Sequence, residues 1–113
     1  MIVTAWKNGT PSPTGAGYGV KLAASDRDRF FDRNWKSVCL LLEGSPDVIE
    51  VNIDKPSFWG NTCRELISAE IGRWLIHNGL VPWPKGQPPR LSLNALEGNT
   101  FALIGKIEEI QKS

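Results

Sequence analysis

The residues best suited to chemistry lie in one short stretch, S-F-W-G-N-T-C-R, at residues 57–64. Asparagine and arginine are the side chains that bind adenine and guanine edges through paired hydrogen bonds, and tryptophan stacks or packs against a sugar or a thymine methyl. Asn61, Arg64 and Trp59 therefore indicate a nucleic-acid contact. The structural alternative is that Phe58 or Trp59 fills the end of a folded domain. Both interpretations place the stretch in a loop between packed elements, where binding residues concentrate.

No other group of residues indicates catalysis or metal binding. His77 is the single histidine, so a site with two imidazoles is excluded, and its place near the end of a predicted helix indicates a surface or capping role. Cys39 and Cys63 have neither a zinc spacing nor a disulfide pattern. We therefore predict no catalytic residues, no metal, no cofactor and no enzyme activity.

Two patterns that look functional are better explained by structure. G-A-G-Y-G, residues 15–19, lacks the following helix and the lysine of a phosphate-binding loop, so its glycines are expected to let a flexible loop enter a strand. Asp26 and Asp28 alternate with Arg27 and Arg29, which indicates a solvated helix face.

Composition predicts one soluble globular domain. The 113 residues are 41% hydrophobic and 22% charged. No apolar run approaches the roughly 18 residues of a membrane span, and the first residues lack a signal-peptide pattern, so we predict a cytoplasmic protein that does not contact membranes. The net charge of +1 argues against a strongly basic coat. Residues 55–90 nevertheless hold five cations against two anions, so a local basic face is compatible with the sequence.

The first half of the chain predicts short strands and one short helix. Ser25 with Asp28 marks the helix start, and a long loop rich in glycine and proline at residues 8–19 separates the first two strands. Strands are predicted at residues 2–6, 18–22, 37–42 and 48–53, the last two forming a hairpin.

The second half predicts a longer helix and a final hairpin. Apolar residues recur at helical spacing up to Gly79, where the helix is expected to end. Its start is ambiguous, because Thr62 with Glu65 forms a capping box, whereas residues 64–67 fit a short strand equally well, with Ser68 as the cap. The hairpin is predicted at residues 90–95 and 100–104, followed by a helical or extended tail at 107–113.

Together these elements predict a mainly β (α+β) domain with two helices, a small six- or seven-stranded antiparallel barrel or sandwich with helices at its ends. The proline-rich stretch V-P-W-P-K-G-Q-P-P, residues 81–89, excludes a helix or a central strand. Gly86 interrupts the extended strip that a polyproline ligand needs. We expect a stiff corner in which Trp83 covers an end of the barrel and Lys85 is available to a nearby phosphate.

The order of these parts resembles the DNA-binding pseudobarrel of plant B-three transcription factors, a fold that also occurs as the effector DNA-binding domain of some type II restriction endonucleases. The resemblance covers residues 2–105 and rests on element order, on F-W-x-N-x-x-R at 58–64 and on W-L-I-H-N-G-L at 74–80. It implies a domain that grips the major groove of double-stranded DNA between two arms, one between the first two strands and one in the F-W-x-N-x-x-R loop.

Carried over to this chain, the resemblance implies a nucleic-acid-binding set of Lys7, Lys21, Trp59, Asn61, Thr62 and Arg64, to which the corner adds Lys85. The family's first arm usually carries several basic residues, whereas the loop at 8–19 has no charge, so Lys7 and Lys21 must supply the positive field from its flanks. The expected partner is therefore DNA. A protein-interaction module that uses the same loops or the proline-rich corner, or a structural domain without catalytic activity, is the alternative, and the oligomeric state is not predicted.

Overall fold

The computed structural model describes residues 1–105, so the tail predicted at 107–113 lies outside the described residues. Within them the chain forms seven strands and three short helices. In chain order these are β1 (Ile2–Lys7), β2 (Tyr18–Lys21), α1 (Ala24–Phe30), β3 (Ser37–Leu42), β4 (Val48–Asn52), α2 (Pro56–Trp59), β5 (Glu65–Ile67), α3 (Ala69–His77), β6 (Arg90–Ala95) and β7 (Thr100–Ile104).

The strands form one sheet in the order β4-β3-β7-β6-β1-β2-β5, which curls until β4 and β5 approach each other. The predicted mainly β fold is confirmed, with seven of the expected six or seven strands. Two helices were predicted and three are present in residues 1–105, because Pro56–Trp59, expected as part of a loop, forms the single helical turn α2. The pairing is not wholly antiparallel as predicted, because β3 and β7 run parallel. A parallel pair needs a long crossover between its strands. Here the connection from β3 to β7 contains most of the domain, so no local sequence pattern predicts that the two strands pair.

Alternation along the strands sends one face into a single core. Val3 and Ala5 in β1 and Val20 in β2 are buried, and so are the inward residues of β3, β6 and β7. The helices fill the two ends of the barrel. At one end α3 contributes Ile71, Leu75 and Trp74, and at the other Phe31 stacks on Phe101 and packs against Phe58. None of the helices in residues 1–105 has the length and apolar composition to cross a bilayer.

The start of α3 is settled in favour of the short strand. Residues Glu65–Ile67 form β5, and Ser68 is the N-cap, whose hydroxyl accepts a hydrogen bond of 3.1 Å from the backbone N–H of Glu70. Thr62 therefore does not cap the helix. The local sequence fits both a helix capped by Thr62 and a strand followed by the cap Ser68, and the pairing of β5 with β2 decides for the strand.

Replacing Ser68 by alanine is expected to lower the free energy of unfolding by about 1 kcal/mol, because it removes the acceptor for an otherwise unpaired helix N–H. The measurement is urea unfolding followed by tryptophan fluorescence. Ser25→Ala is the matched control. Ser25 is exposed and, contrary to the sequence prediction, does not cap α1, whose N-cap is Ala23 without a side-chain hydrogen bond. Equal losses in the two variants would contradict the assignment.

The loop between β1 and β2, residues 8–17, is closed by its own backbone hydrogen bonds and packs against α3. The N–H of Asn8 bonds the carbonyl of Gly17 at 2.8 Å, and the N–H of Ser12 bonds that of Ala16 at 2.9 Å. Gly15 has a φ of +98° and lies against α3, where a Cβ would come within 2.8 Å of the Arg73 nitrogen. At Gly15 the absence of a side chain therefore allows close backbone packing of the loop on α3, a role that the sequence did not indicate.

Candidate functional site

The second loop, residues 53–64 between β4 and β5, contains the helical turn α2 and most of the predicted site. Phe58 is completely buried, so the structural interpretation holds for this residue. Trp59 is half-buried beside the core, and its indole N–H donates a 3.0 Å hydrogen bond to the carbonyl of Ile53. The loop is therefore fixed at its start by two aromatic side chains.

Arg64 braces the other end of the second loop. Its Nε donates a 2.9 Å hydrogen bond to the carbonyl of Leu22, and an Nη donates to the carbonyl of Asn61. The half-buried guanidinium thus ties the loop to the end of β2. Because two of its donor groups are engaged in the fold, Arg64 holds neighbouring residues in place and has only part of its hydrogen-bonding capacity left for a ligand.

Lys21 fixes the middle of the same segment. Its Nζ lies 3.1 Å from the carbonyl of Thr62, to which it donates, and 3.7 Å from a carboxylate oxygen of Glu65. Asn61 and Thr62 are exposed, and the Asn61 side chain makes no hydrogen bond to any other residue that the structure describes. Lys21, Asn61, Thr62 and Arg64 are thus brought together, with two polar side chains directed to solvent from a braced backbone.

Two arginines that the sequence did not single out support this loop. Arg27 was expected on a solvated helix face, yet it is 6% exposed, and its Nη1 donates to the carbonyls of Phe58 at 2.9 Å and Gly60 at 2.6 Å. Arg33 is exposed, and its guanidinium carbon lies 4.9 Å from the centre of the Trp59 ring. Neither contact has a sequence signal, because each partner lies more than 20 residues away along the chain.

Lys7 and Lys85 belong to a different place on the barrel. Ala5 and Val20 pair with their side chains in the core, and the next pair on that face is Lys7 with Tyr18. Lys7 therefore extends past the barrel end, where its Nζ lies 5.0 Å from the centre of the Trp83 ring.

Trp83 packs against the core, as expected for the proline-rich corner, and its ring meets that of Tyr18 edge to face at 6.3 Å. Lys85 is exposed two residues further on, in a turn closed by the hydrogen bond from Gln87 to Pro84. The predicted cations are thus divided between two clusters, one at each end of β2. Since β2 is four residues long and a strand rises about 3.3 Å per residue, these ends are roughly 10 Å apart.

A cleft of about 570 Å³ lies elsewhere, between α3 and the turn that joins β3 to β4. Its lining mixes Asp47 and Glu70 with Arg73 and His77. Within the described part of the chain, no three histidine, cysteine, aspartate or glutamate residues are grouped as a metal site requires. Comparisons of the chain with protein-family models, with curated proteins and with solved structures gave no match.

Proposed function

We propose that this protein binds double-stranded DNA through the second loop. The observation that carries the proposal is the bracing of residues 61 and 62: Arg64 and Lys21 hold their backbone carbonyls, while the amide of Asn61 and the hydroxyl of Thr62 remain exposed. An exposed asparagine on a fixed backbone suits bidentate recognition of adenine, because both hydrogen bonds need a set orientation. Holding the loop before binding also reduces the entropy lost on association.

The charges around the loop support an anionic ligand. Arg33 and Lys55 line the shallow depression beside Trp59, and Lys21 lies at the opposite side of the loop. Asp54 offsets part of this charge, since it lies in the same depression and pairs with Lys36 at 3.5 Å. A few phosphate contacts are therefore expected rather than a continuous basic groove. The nearly closed seven-stranded barrel is compatible with the pseudobarrel resemblance.

The test is binding of the full chain to a fluorescent pool of random-sequence duplexes, followed by selection of the preferred sequence. With about three phosphates neutralised, the logarithm of the association constant should fall with the logarithm of salt concentration with a slope of about −3. Asn61→Ala is expected to weaken binding to the selected duplex by roughly 5- to 100-fold, the loss of one bidentate base contact. Its salt slope should stay unchanged, because no charge is removed.

Asn94→Ala is the matched control, because Asn94 is also exposed but lies on β6, three strands from β5. It should bind DNA like the natural protein. Arg64→Ala is unsuitable as the main variant, since it also removes the two hydrogen bonds that brace the loop. Absence of salt-sensitive binding to any duplex at low ionic strength would refute the proposal.

A further inference from the structure

The outer face of the barrel between the two clusters carries Trp6, which is not part of the proposed interface. Val3 and Ala5 point into the core, so their neighbours Thr4 and Trp6 point outward from β1. Trp6 is half-exposed and does not belong to the core or to the aromatic side chains packed against it. Among residues 1–105 its indole N–H has no hydrogen-bond acceptor and its ring no aromatic or cationic partner. A half-exposed tryptophan on an outer sheet face is a feature that binding surfaces favour.

The strand register places Trp6 beside a glycine and next to a row of the sheet that carries two basic residues. Trp6 pairs with Gly19 on β2, which has no side chain to cover the indole. In the next outward row, Thr4 pairs with Lys21 on one side and with Arg90 on the other. The row therefore places one cation on each of the strands flanking β1, on the same face as the indole.

Trp6, Thr4, Lys21 and Arg90 form a strip on the outer face of the sheet, and the charges of this strip complement a phosphate backbone. Arg90 is exposed and has no acidic partner within 4.0 Å among the described residues. Lys21 is partly neutralised by Glu65, which is buried beside it with a side chain 8% exposed. The accessible charge of the strip is therefore positive, although it amounts to little more than the single charge of Arg90.

The strip is also continuous with the proposed interface. Lys21 belongs to both, because its side chain donates to Thr62 of the second loop. At the other end of β2 the chain enters the loop at residues 8–17, so the outer face of β1 and β2 lies between the two loops. A DNA segment that contacts Asn61 and follows the outer face of β2 towards the first loop passes Gly19, whose cross-strand neighbour is Trp6.

We infer that Trp6 and Arg90 form a further nucleic-acid contact of this protein, in which the indole packs against a deoxyribose or base and the guanidinium binds an adjacent phosphate. The inference rests on the proposed DNA-binding function and extends it from one loop to the sheet face. Aromatic contacts of this kind contribute independently of salt, whereas a phosphate contact contributes one unit of salt dependence. Loss of Trp6 should therefore change the affinity at every salt concentration alike, whereas loss of Arg90 should also change the salt slope.

The experiment compares Trp6→Ala, Trp6→Phe and Arg90→Ala with the natural full-length chain, on the random-sequence duplex pool and on the corresponding single strands. Trp6→Ala should weaken duplex binding with an unchanged salt slope, and should weaken binding to the single strands, whose bases are free to stack on the indole, by about 5- to 100-fold. Trp6→Phe should restore most of the loss. Arg90→Ala should reduce the magnitude of the salt slope by about 1. Val48→Ala, which shortens another outward apolar side chain on β4, 57% exposed, is the control and should have no effect.

Photo-crosslinking separates a contact from a structural effect. Duplexes that carry 5-iodouracil should crosslink to the peptide that contains Trp6, and this product should be absent with Trp6→Ala. If Asn61→Ala loses binding while the Trp6 and Arg90 variants bind like the natural chain, the inference is wrong and the proposed function stands. If the natural chain binds no duplex, the proposed function fails. In that case, binding to the single strands that depends on Trp6 would support the contact, and its absence would overturn the contact as well.

Discussion

Replacing Arg27 by alanine is expected to lower the free energy of unfolding by about 2–4 kcal/mol. The buried guanidinium donates to the carbonyls of Phe58 and Gly60 and lies 5.6 Å from the centre of the Trp59 ring, so it connects α1 to the second loop. The variant leaves these carbonyl oxygens without a donor, and each unpaired buried acceptor costs about 1–3 kcal/mol. Urea unfolding at equilibrium is the measurement.

Arg29→Ala controls for loss of a cation from the same helix. Arg29 is exposed, and its guanidinium lies 5.3 Å from the ring of Phe30 without an ion pair to any residue in 1–105, so its loss should change stability by no more than about 0.5 kcal/mol. Arg27→Lys should fall between the two, because an ammonium group keeps the charge but lacks the planar fork of donors. A loss for Arg27→Ala no larger than that for Arg29→Ala would show that the carbonyls are satisfied without it.

The same change tests the link between stability and function. If Arg27 holds the second loop, Arg27→Ala should also weaken duplex binding at temperatures where the variant is still folded, because Asn61 and Thr62 lose their fixed backbone. Arg29→Ala removes an equal charge and should weaken binding less. An equal effect of both on binding would indicate that Arg27 acts through its charge rather than through the loop.

Replacing Gly72 by alanine is expected to destabilise the protein by at least about 2 kcal/mol, although alanine favours a helix over glycine by about 1 kcal/mol. A Cβ at Gly72 would lie within 2.7 Å of the Cα of Gly15. The facing loop cannot easily withdraw, because Arg73 donates a 3.0 Å hydrogen bond to the carbonyl of Thr14 and the loop is closed by its own backbone bonds. Steric overlap of this kind commonly costs about 1–3 kcal/mol, and more where only backbone surrounds it.

Gly9→Ala is the control within the same loop. Apart from its two chain neighbours, no residue that the structure describes has an atom within 4 Å of a Cβ built on Gly9, and the φ of Gly9 is not in the left-handed region. The unfolding midpoint of Gly9→Ala should therefore match that of the natural protein. Limited proteolysis distinguishes two ways in which Gly72→Ala could fail. Cleavage confined to residues 8–17 would mean that the loop has left α3, and cleavage throughout the barrel would mean global destabilisation. Stabilisation by Gly72→Ala would contradict the packing described here.

The sequence indicated a loop at residues 57–64 between packed elements, but not the contacts that hold this loop in place. Asn61 and Thr62 are exposed in a braced loop, as a binding loop requires. Arg64, expected to contact bases or phosphates, donates two of its hydrogen bonds to the carbonyls of Leu22 and Asn61, and Arg27, expected in solvent, is buried beneath the loop. Residue type indicates which groups can donate hydrogen bonds. It does not show which carbonyls the fold will bring to them, because those carbonyls belong to distant segments.

Local patterns by themselves determined most of the strands, the mainly β fold class, the corner at Trp83 and the position of α3 to within its ambiguous start. Each depends on interactions over a few residues: alternation, turn residues and proline geometry. Only the tertiary structure decided the parallel pairing of β3 with β7, the choice of Ser68 as the cap, the packing of Gly15 on Gly72 and the placement of Trp6 on the same outer face as Lys21 and Arg90. These features depend on which distant segments become neighbours when the core is buried. The free energy of burying the whole core determines these contacts, so no short stretch of sequence predicts them.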